Sequence, residues 1–209
     1  EGDISEDGDY LPMCGNGTDA FLYRLSTDTT GPSYRQPGLN AVYVTPDNNL
    51  LMTGTFGIRM VRPRTHSLAP VVDRFGHMDV GRDTDGAEII VWLDDTTNTV
   101  TKVRLGDLQI THLLTLSWKI AVHVCLPYPG LDKMPVDYGI ISCFAPTDTD
   151  NEDVLYADSI LKVPLDGSGI DTIAHHQSDA STYEGQPHAV ASGSQFLFDS
   201  RENGQNVVY

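Results

Sequence analysis

The stretch 42–61, VYVTPDNNLLMTGTFGIRMV, decides the fold. A β-branched and aromatic run, Val42-Tyr43-Val44, meets the turn former Pro46-Asp47-Asn48-Asn49. A second apolar run follows at 50–54 and a third at 58–61, so strand, turn and strand succeed one another within twenty residues. The same signal recurs on either side. Asp7-Gly8 follows Ile4-Ser5, and Asp85-Gly86 follows Met78-Asp79-Val80, so the turns at Asp7, Asp47 and Asp85 lie 40 and 38 residues apart. After the third turn come the runs 87–92 and 100–105, and no stretch carries the apolar spacing of a helix.

A period near 40 residues with several short strands per unit is that of propeller blades, whereas a sandwich has no such period. The expectation is an all-β chain, a β-propeller of four-stranded antiparallel blades at about 1–36, 37–74, 75–116, 117–174 and 175–209. The fourth unit is enlarged by a loop around 127–137 and an acidic excursion at 146–158. The fifth starts at Gln186-Pro187-His188, has a second strand at 195–200 and a third at 206–209. About five blades with the last unfinished leave an unpaired edge. The expectation is that further blades or domains of a longer chain, or a partner, complete the ring, or that the terminal strands exchange to close it.

Composition narrows the function. The 209 residues carry 13 Lys and Arg against 29 Asp and Glu, a net charge of −16 and a pI near 4.5. Such a surface repels a phosphate backbone and anionic membranes, which excludes nucleic acid as a partner. No apolar run reaches the roughly 18 residues of a membrane span, so membrane insertion is not expected. The chain opens Glu-Gly-Asp without Met or a signal region and reads as a processed or excised segment. Acidity together with a mean hydropathy of −0.22 points to an extracellular or periplasmic setting. Cys14, Cys125 and Cys143 have no C-x-x-C spacing. Cys125 and Cys143 each sit in a strand-like run and are expected on adjacent antiparallel strands, either disulfide-bonded or as two buried thiols.

Three histidines fall at matching places when the first strand of each unit is aligned on its turn: His77 in GHMDV, His123 in VHVCL and His188 in PHAVA. First strands are innermost in a propeller, so these imidazoles converge on the axis, with Asp79 on the same face as His77. Nitrogen and carboxylate donors of this kind suit Mn, Fe, Zn or Ni. The alternative is structural: a recurrent histidine that locks one blade to the next. His66 and His112 fall in outer-strand or loop positions and are set aside. The run Asp148-Thr149-Asp150-Asn151-Glu152-Asp153 offers oxygen ligands for Ca²⁺ but lacks the Gly and distal Glu of an EF-hand, and a solvated acidic loop is the simpler reading.

The turns Ser5-Glu6-Asp7-Gly8 and Thr45-Pro46-Asp47-Asn48 look like degenerate copies of the Ser-Pro-Asp-Gly turn of TolB-type propellers. The segment 174–203, AHHQSDASTYEGQPHAVASGSQFLFDSREN, with Gly76-His77-Met78-Asp79-Val80, resembles the His-rich propellers grouped with oligogalacturonate lyase. The resemblance implies a divalent metal at the axis held by Gln186 and His188, and cleavage of pectin fragments beside it. Val190 stands two positions after His188, where the lyase cluster carries a further histidine. His175 and His176 are candidate substrate contacts or a polar turn. Tyr183, like Trp92, Trp118, Tyr128 and Tyr138, could stack on a sugar, although Trp92 reads as core packing.

A metal in the channel would suit a uronate, whose carboxylate coordinates the cation beside the bond being broken. No motif places a base. The functional expectation is a metal-dependent propeller that binds or cleaves acidic oligosaccharide. The alternatives are a noncatalytic scaffold for a protein or glycan, and a structural domain of a larger extracellular enzyme.

Overall fold

The computed structural model describes residues 4–62, 65–94, 96–115, 120–126, 137–144, 159–175, 188–189, 196–197, 199–202 and 205–208. All regular elements among them are strands. The first sheet holds β1 (Tyr10–Gly15), β2 (Asp19–Arg24) and the short β3 (Thr29–Thr30) and β4 (Tyr34–Arg35), both paired to β2. The second is the meander β5 (Leu39–Val44), β6 (Leu50–Gly54), β7 (Gly57–Arg62) and β8 (Ser67–Val72). The third repeats it with β9 (His77–Arg82), β10 (Glu88–Asp94), β11 (Thr99–Arg104) and β12 (Ile110–Thr115). The fourth has β13 (Ile120–Cys125), β14 (Tyr138–Phe144), β15 (Ser159–Pro164) and β16 (Asp171–His175). All the pairings are antiparallel, as the period predicts.

The fifth unit differs in detail from its reading. β17 (His188–Ala189) pairs with β18 (Phe196–Leu197), and β19 (Asp199–Glu202) pairs with β20 (Gln205–Val208). The stretch 195–200, expected as one strand, therefore divides between two partners.

The repeated turn is a specific device. Ser5 N donates to Tyr10 O, Thr45 N to Asn49 O and Asp83 N to Ala87 O, each at 2.8 Å. Gly8, Asn48 and Gly86 take the left-handed conformation the turn needs, with φ of 72°, 62° and 83°. Gly and Asn adopt it at the least steric cost, which is why the Asp-Gly and Asp-Asn pairs mark these sites in the sequence. The side chain that opens each turn, Ser5, Thr45 or Asp83, is buried. Ser5 Oγ accepts from Asp9 N and Tyr10 N, and Thr45 Oγ1 accepts from Asn49 N.

Ile4-Ser5 forms no strand of its own; it leads into this turn. The described part of the first unit thus holds the counterparts of β6, β7 and β8. Its turn closes five residues on, at Tyr10, where the second closes four on, at Asn49. The extra residue sets Pro12 at the place of Leu51, and the hairpin registers carry Leu22 to the place of Met60 and Ala20 to that of Ile58.

The sheets pack face to face through three apolar seams. The first joins Ala20 to Val42, Leu50, Met52 and Val61. The second joins Leu51, Ile58 and Met60 to Met78, Val80, Ile90, Trp92, Val103 and Leu105. The third joins Ile89, Val91, Leu93, Val100 and Leu113 to Val124, Leu126, Leu161, Val163 and Leu165. Trp92 is core, as its strand position suggests. Alternate residues of one strand serve opposite seams, Ile90 and Trp92 facing back while Ile89, Val91 and Leu93 face forward. That double burial explains the continuous apolar run 89–93.

Cys125 and Cys143 do lie on adjacent antiparallel strands. The register sets Cys125 opposite Ile140 and Cys143 opposite Ala121. This offset of three residue pairs amounts to roughly 10 Å along the strand at about 3.3 Å per residue. A disulfide needs Cα atoms within about 7 Å, so this register does not link them. Cys125 is buried and Cys14 exposed.

Candidate functional site at the inner strands and the turn end

β5, β9 and β13 each open their sheet, and the site expected from the sequence lies along them. His77 begins β9, opposite Leu93; it is half-buried and meets Phe75 edge-on with ring centroids 6.4 Å apart. His123 lies within β13, opposite Ser142, and His188 on β17, opposite Leu197. His175 ends β16, opposite Ser159. Of the side chains of His123, His175 and His188 nothing is described. Gln186, His176, Tyr183 and the acidic run 148–153 lie outside the described residues. Among the described residues, no three His, Cys, Asp or Glu side chains gather closely enough to hold a metal ion.

Asp79 has a definite task. Its Oδ2 accepts from the backbone N of Leu126, just past β13, at 2.6 Å, and its Oδ1 from its own neighbour Val80 N at 2.8 Å. A charge-assisted bond across the seam between the third and fourth sheets is the blade-to-blade lock that the sequence reading considered for the histidines. The carboxylate two residues after His77 performs it.

The turn ends form a charged crown. Arg82, at the end of β9, reaches Glu6 of the first turn at 2.7 Å and Asp47 of the second at 2.9 Å, and donates to Gly86 O at 3.1 Å. One guanidinium therefore ties three sheets together. Asn48 Nδ2 donates to Asp7 Oδ2 at 3.0 Å, joining the first two turns. Glu88 of β10 accepts from Asp47 N at 2.7 Å and from Asn49 Nδ2, and burial pushes its carboxyl above the ordinary value. The Ser5 hydroxyl holds Asp7 below the usual range.

Cavities open at this end, among them a small one of about 230 Å³ beside Asp47, Glu88, Arg104 and Asp107. Between the third and fourth sheets, one of about 550 Å³ is lined by Asp83, Asp85, Lys102, Arg104, Asp137 and Asp166. Its cations are already paired, Lys102 with Asp83 and Arg104 with Asp85, each at 2.7 Å. The hydrogen bond from Arg104 lowers the pKa of Asp85. Between the first and second sheets, a groove of about 340 Å³ is lined by Tyr10, Tyr34, His66 and Arg24, with Leu22, Leu50 and Val61 beneath.

Sequence reading missed Arg82 as a clamp and set His66 aside. The signal for Arg82 was its place directly before the third turn. For His66 there was none, since its partner Tyr34 is 32 residues away in sequence.

The sequence matches no family model and no curated protein. Its fold matches solved propellers. TolB from Acinetobacter baumannii superposes with a TM-score of 0.64 at 16% identity, over 98% of this chain and 49% of that one. Oligogalacturonate lyase in complex with manganese gives 0.63 at 16%, over 99% of this chain and 60% of that one. The extracellular domain of a suspected one component system from B. thetaiotaomicron gives 0.60 at 11%, over 99% and 27%. The chain has the β-propeller fold of TolB and oligogalacturonate lyase, and it spans between about a quarter and three fifths of the length of these structures.

Proposed function

We propose that this propeller is an extracellular or periplasmic binding module whose inner strands hold a divalent transition metal and, through it, an acidic oligosaccharide. The observation that supports this reading is that His77 and His123 fall on the first strands of neighbouring sheets, the strands nearest the axis of a propeller. His188 and Gln186 are the further ligands of this reading. Asp79 is left to its seam, because both of its oxygens already accept backbone amides. A bound cation would act as a Lewis acid that neutralises a uronate carboxylate. A manganese-bound lyase of the same fold and an extracellular domain among the similar structures are consistent with this chemistry and setting. No helix among the described residues is long and apolar enough to cross a membrane.

Elemental analysis of the full chain, prepared with manganese present, should find close to one transition metal per chain. Calorimetry should find trigalacturonate binding that EDTA abolishes. His77→Ala should lose both, with little loss of stability. A metal-free wild type that ignores trigalacturonate overturns the reading in favour of a metal-free scaffold for a protein or glycan.

A further inference from the structure

The groove between the first and second sheets opens at the turn end and holds about 340 Å³. Tyr10, Leu22 and Tyr34 of the first sheet face Asn48, Leu50 and His66 of the second across it. That volume lies at the lower end of the range of small-molecule sites. One wall is built from two rings, Tyr34 of β4 and His66 of the β7–β8 turn, which stack at 24° with centroids 6.5 Å apart. The phenol oxygen lies 2.8 Å from His66 Nδ1. When Tyr34 donates its proton there, the imidazole carries its own on Nε2 and keeps a donor. His66 is held in place by a left-handed backbone, φ 49°, in an exposed turn.

The polar groups of the groove have unequal commitments. Arg24 is bound to Asp9 at 2.7 Å and lies 5.5 Å over the Tyr10 ring. Asn48 Nδ2 is bound to Asp7, but Asn48 Oδ1 is buried with no hydrogen-bond partner. A buried acceptor left unsatisfied costs about 1–3 kcal/mol. Thr29 and Thr30 line the same groove, and Asp47 adds a carboxylate that Arg82 engages through Oδ1 at 2.9 Å.

We propose that this groove is a binding site for one neutral pyranose ring of an oligosaccharide, separate from the inner strands. A pyranose has an apolar C–H face for the Tyr34 and His66 rings, and hydroxyl donors at its rim for the Asp47 carboxylate. An anionic sugar is disfavoured: Asp47 faces it, the chain carries a net charge of −16, and Arg24 is engaged by Asp9. A flat aromatic ligand would stack, yet it lacks the ring of hydroxyls that the acceptors call for. The site needs no metal, so it stands or falls independently of the inner-strand reading.

The test is calorimetry on the full chain with maltotriose, cellotriose and trigalacturonate, each with and without EDTA. The expected result is binding of a neutral trisaccharide that EDTA does not change. His66→Asn, which removes the ring while tolerating the left-handed backbone, should weaken that binding at least tenfold at an unchanged melting temperature. Tyr34→Phe, which keeps the ring and removes the hydroxyl, should weaken it less. Three results overturn the proposal: neither neutral trisaccharide binds, their binding survives His66→Asn, or EDTA abolishes it. Trigalacturonate binding that EDTA abolishes, without neutral binding, would support the inner-strand reading and overturn this one.

Discussion

The first and second seams are built from equivalent hairpins, yet they differ at the turn end, where the first opens a groove of about 340 Å³ walled by rings and the second a cavity of about 230 Å³ lined by Asp47, Glu88, Arg104 and Asp107. In the second seam, Leu51 and Ile58 are fully buried against Met78, Val80, Ile90 and Trp92. In the first, Ala20 stands for Ile58 and Pro12 for Leu51; Ala20 is fully buried with Val42, Leu50, Met52 and Val61, and the groove walled by Tyr34 and His66 borders that cluster at Leu50 and Val61. The difference teaches that the repeat fixes where the sheets lie, whereas the side chains at the turn end decide the size and chemistry of the space between them.

The strongest way to break the comparison is to make the second seam resemble the first. Ile58→Ala removes three carbons from a site with no exposure. It should cost about 2–5 kcal/mol, the range for large-to-small core substitutions. A chemical denaturation curve measures this, and a loss below about 1 kcal/mol would mean that the second seam closes around an alanine as the first does around Ala20.

The third seam offers a sharper probe, because a single carboxylate crosses it. Asp79→Asn retains the shape but sets an amide against Leu126 N or loses the charge assistance of the bond. The expected cost is about 1.5–3 kcal/mol, with faster hydrogen exchange at the Leu126 amide. Unchanged exchange there would show that β13 is held by packing alone.

The smallest effect is a pH dependence at Glu88, between the second and third sheets. Burial raises its folded pKa above the unfolded value, so the folded state binds the proton more tightly. Its contribution is most favourable below the unfolded pKa and is lost as the pH rises through the folded one. Stability of the wild type relative to Glu88→Gln should therefore increase as the pH falls from 7 toward 4. Denaturation midpoints of both proteins at the two pH values measure it. A difference that shrinks on acidification would mean that the hydrogen bonds from Asp47 N and Asn49 outweigh burial.

The amino-acid sequence by itself determined the local architecture, because turn chemistry and strand patterning act over a few residues. Gly8, Asn48 and Gly86 reveal the left-handed positions, and Leu50-Leu51-Met52 and Ile89-Ile90-Val91 reveal strands buried on both faces. The pairing of the strands that carry Cys125 and Cys143 was legible for the same reason. Their register was not, since a bulge between Ala121 and His123 and the offset of three pairs belong to the hairpin as a whole. Of the candidate site, the chain positions of His77, His123 and His188 on strands were legible, but the task of Asp79 was not. Its partner Leu126 lies 47 residues away, and only the packing of β9 beside β13 brings them together. The same holds for Arg82 with Glu6, 76 residues apart, and for Tyr34 with His66. Patterning decides which face of a strand is apolar. Which distant residue meets a given polar group across a seam is decided by the stacking of whole sheets, and only the tertiary structure contains that information.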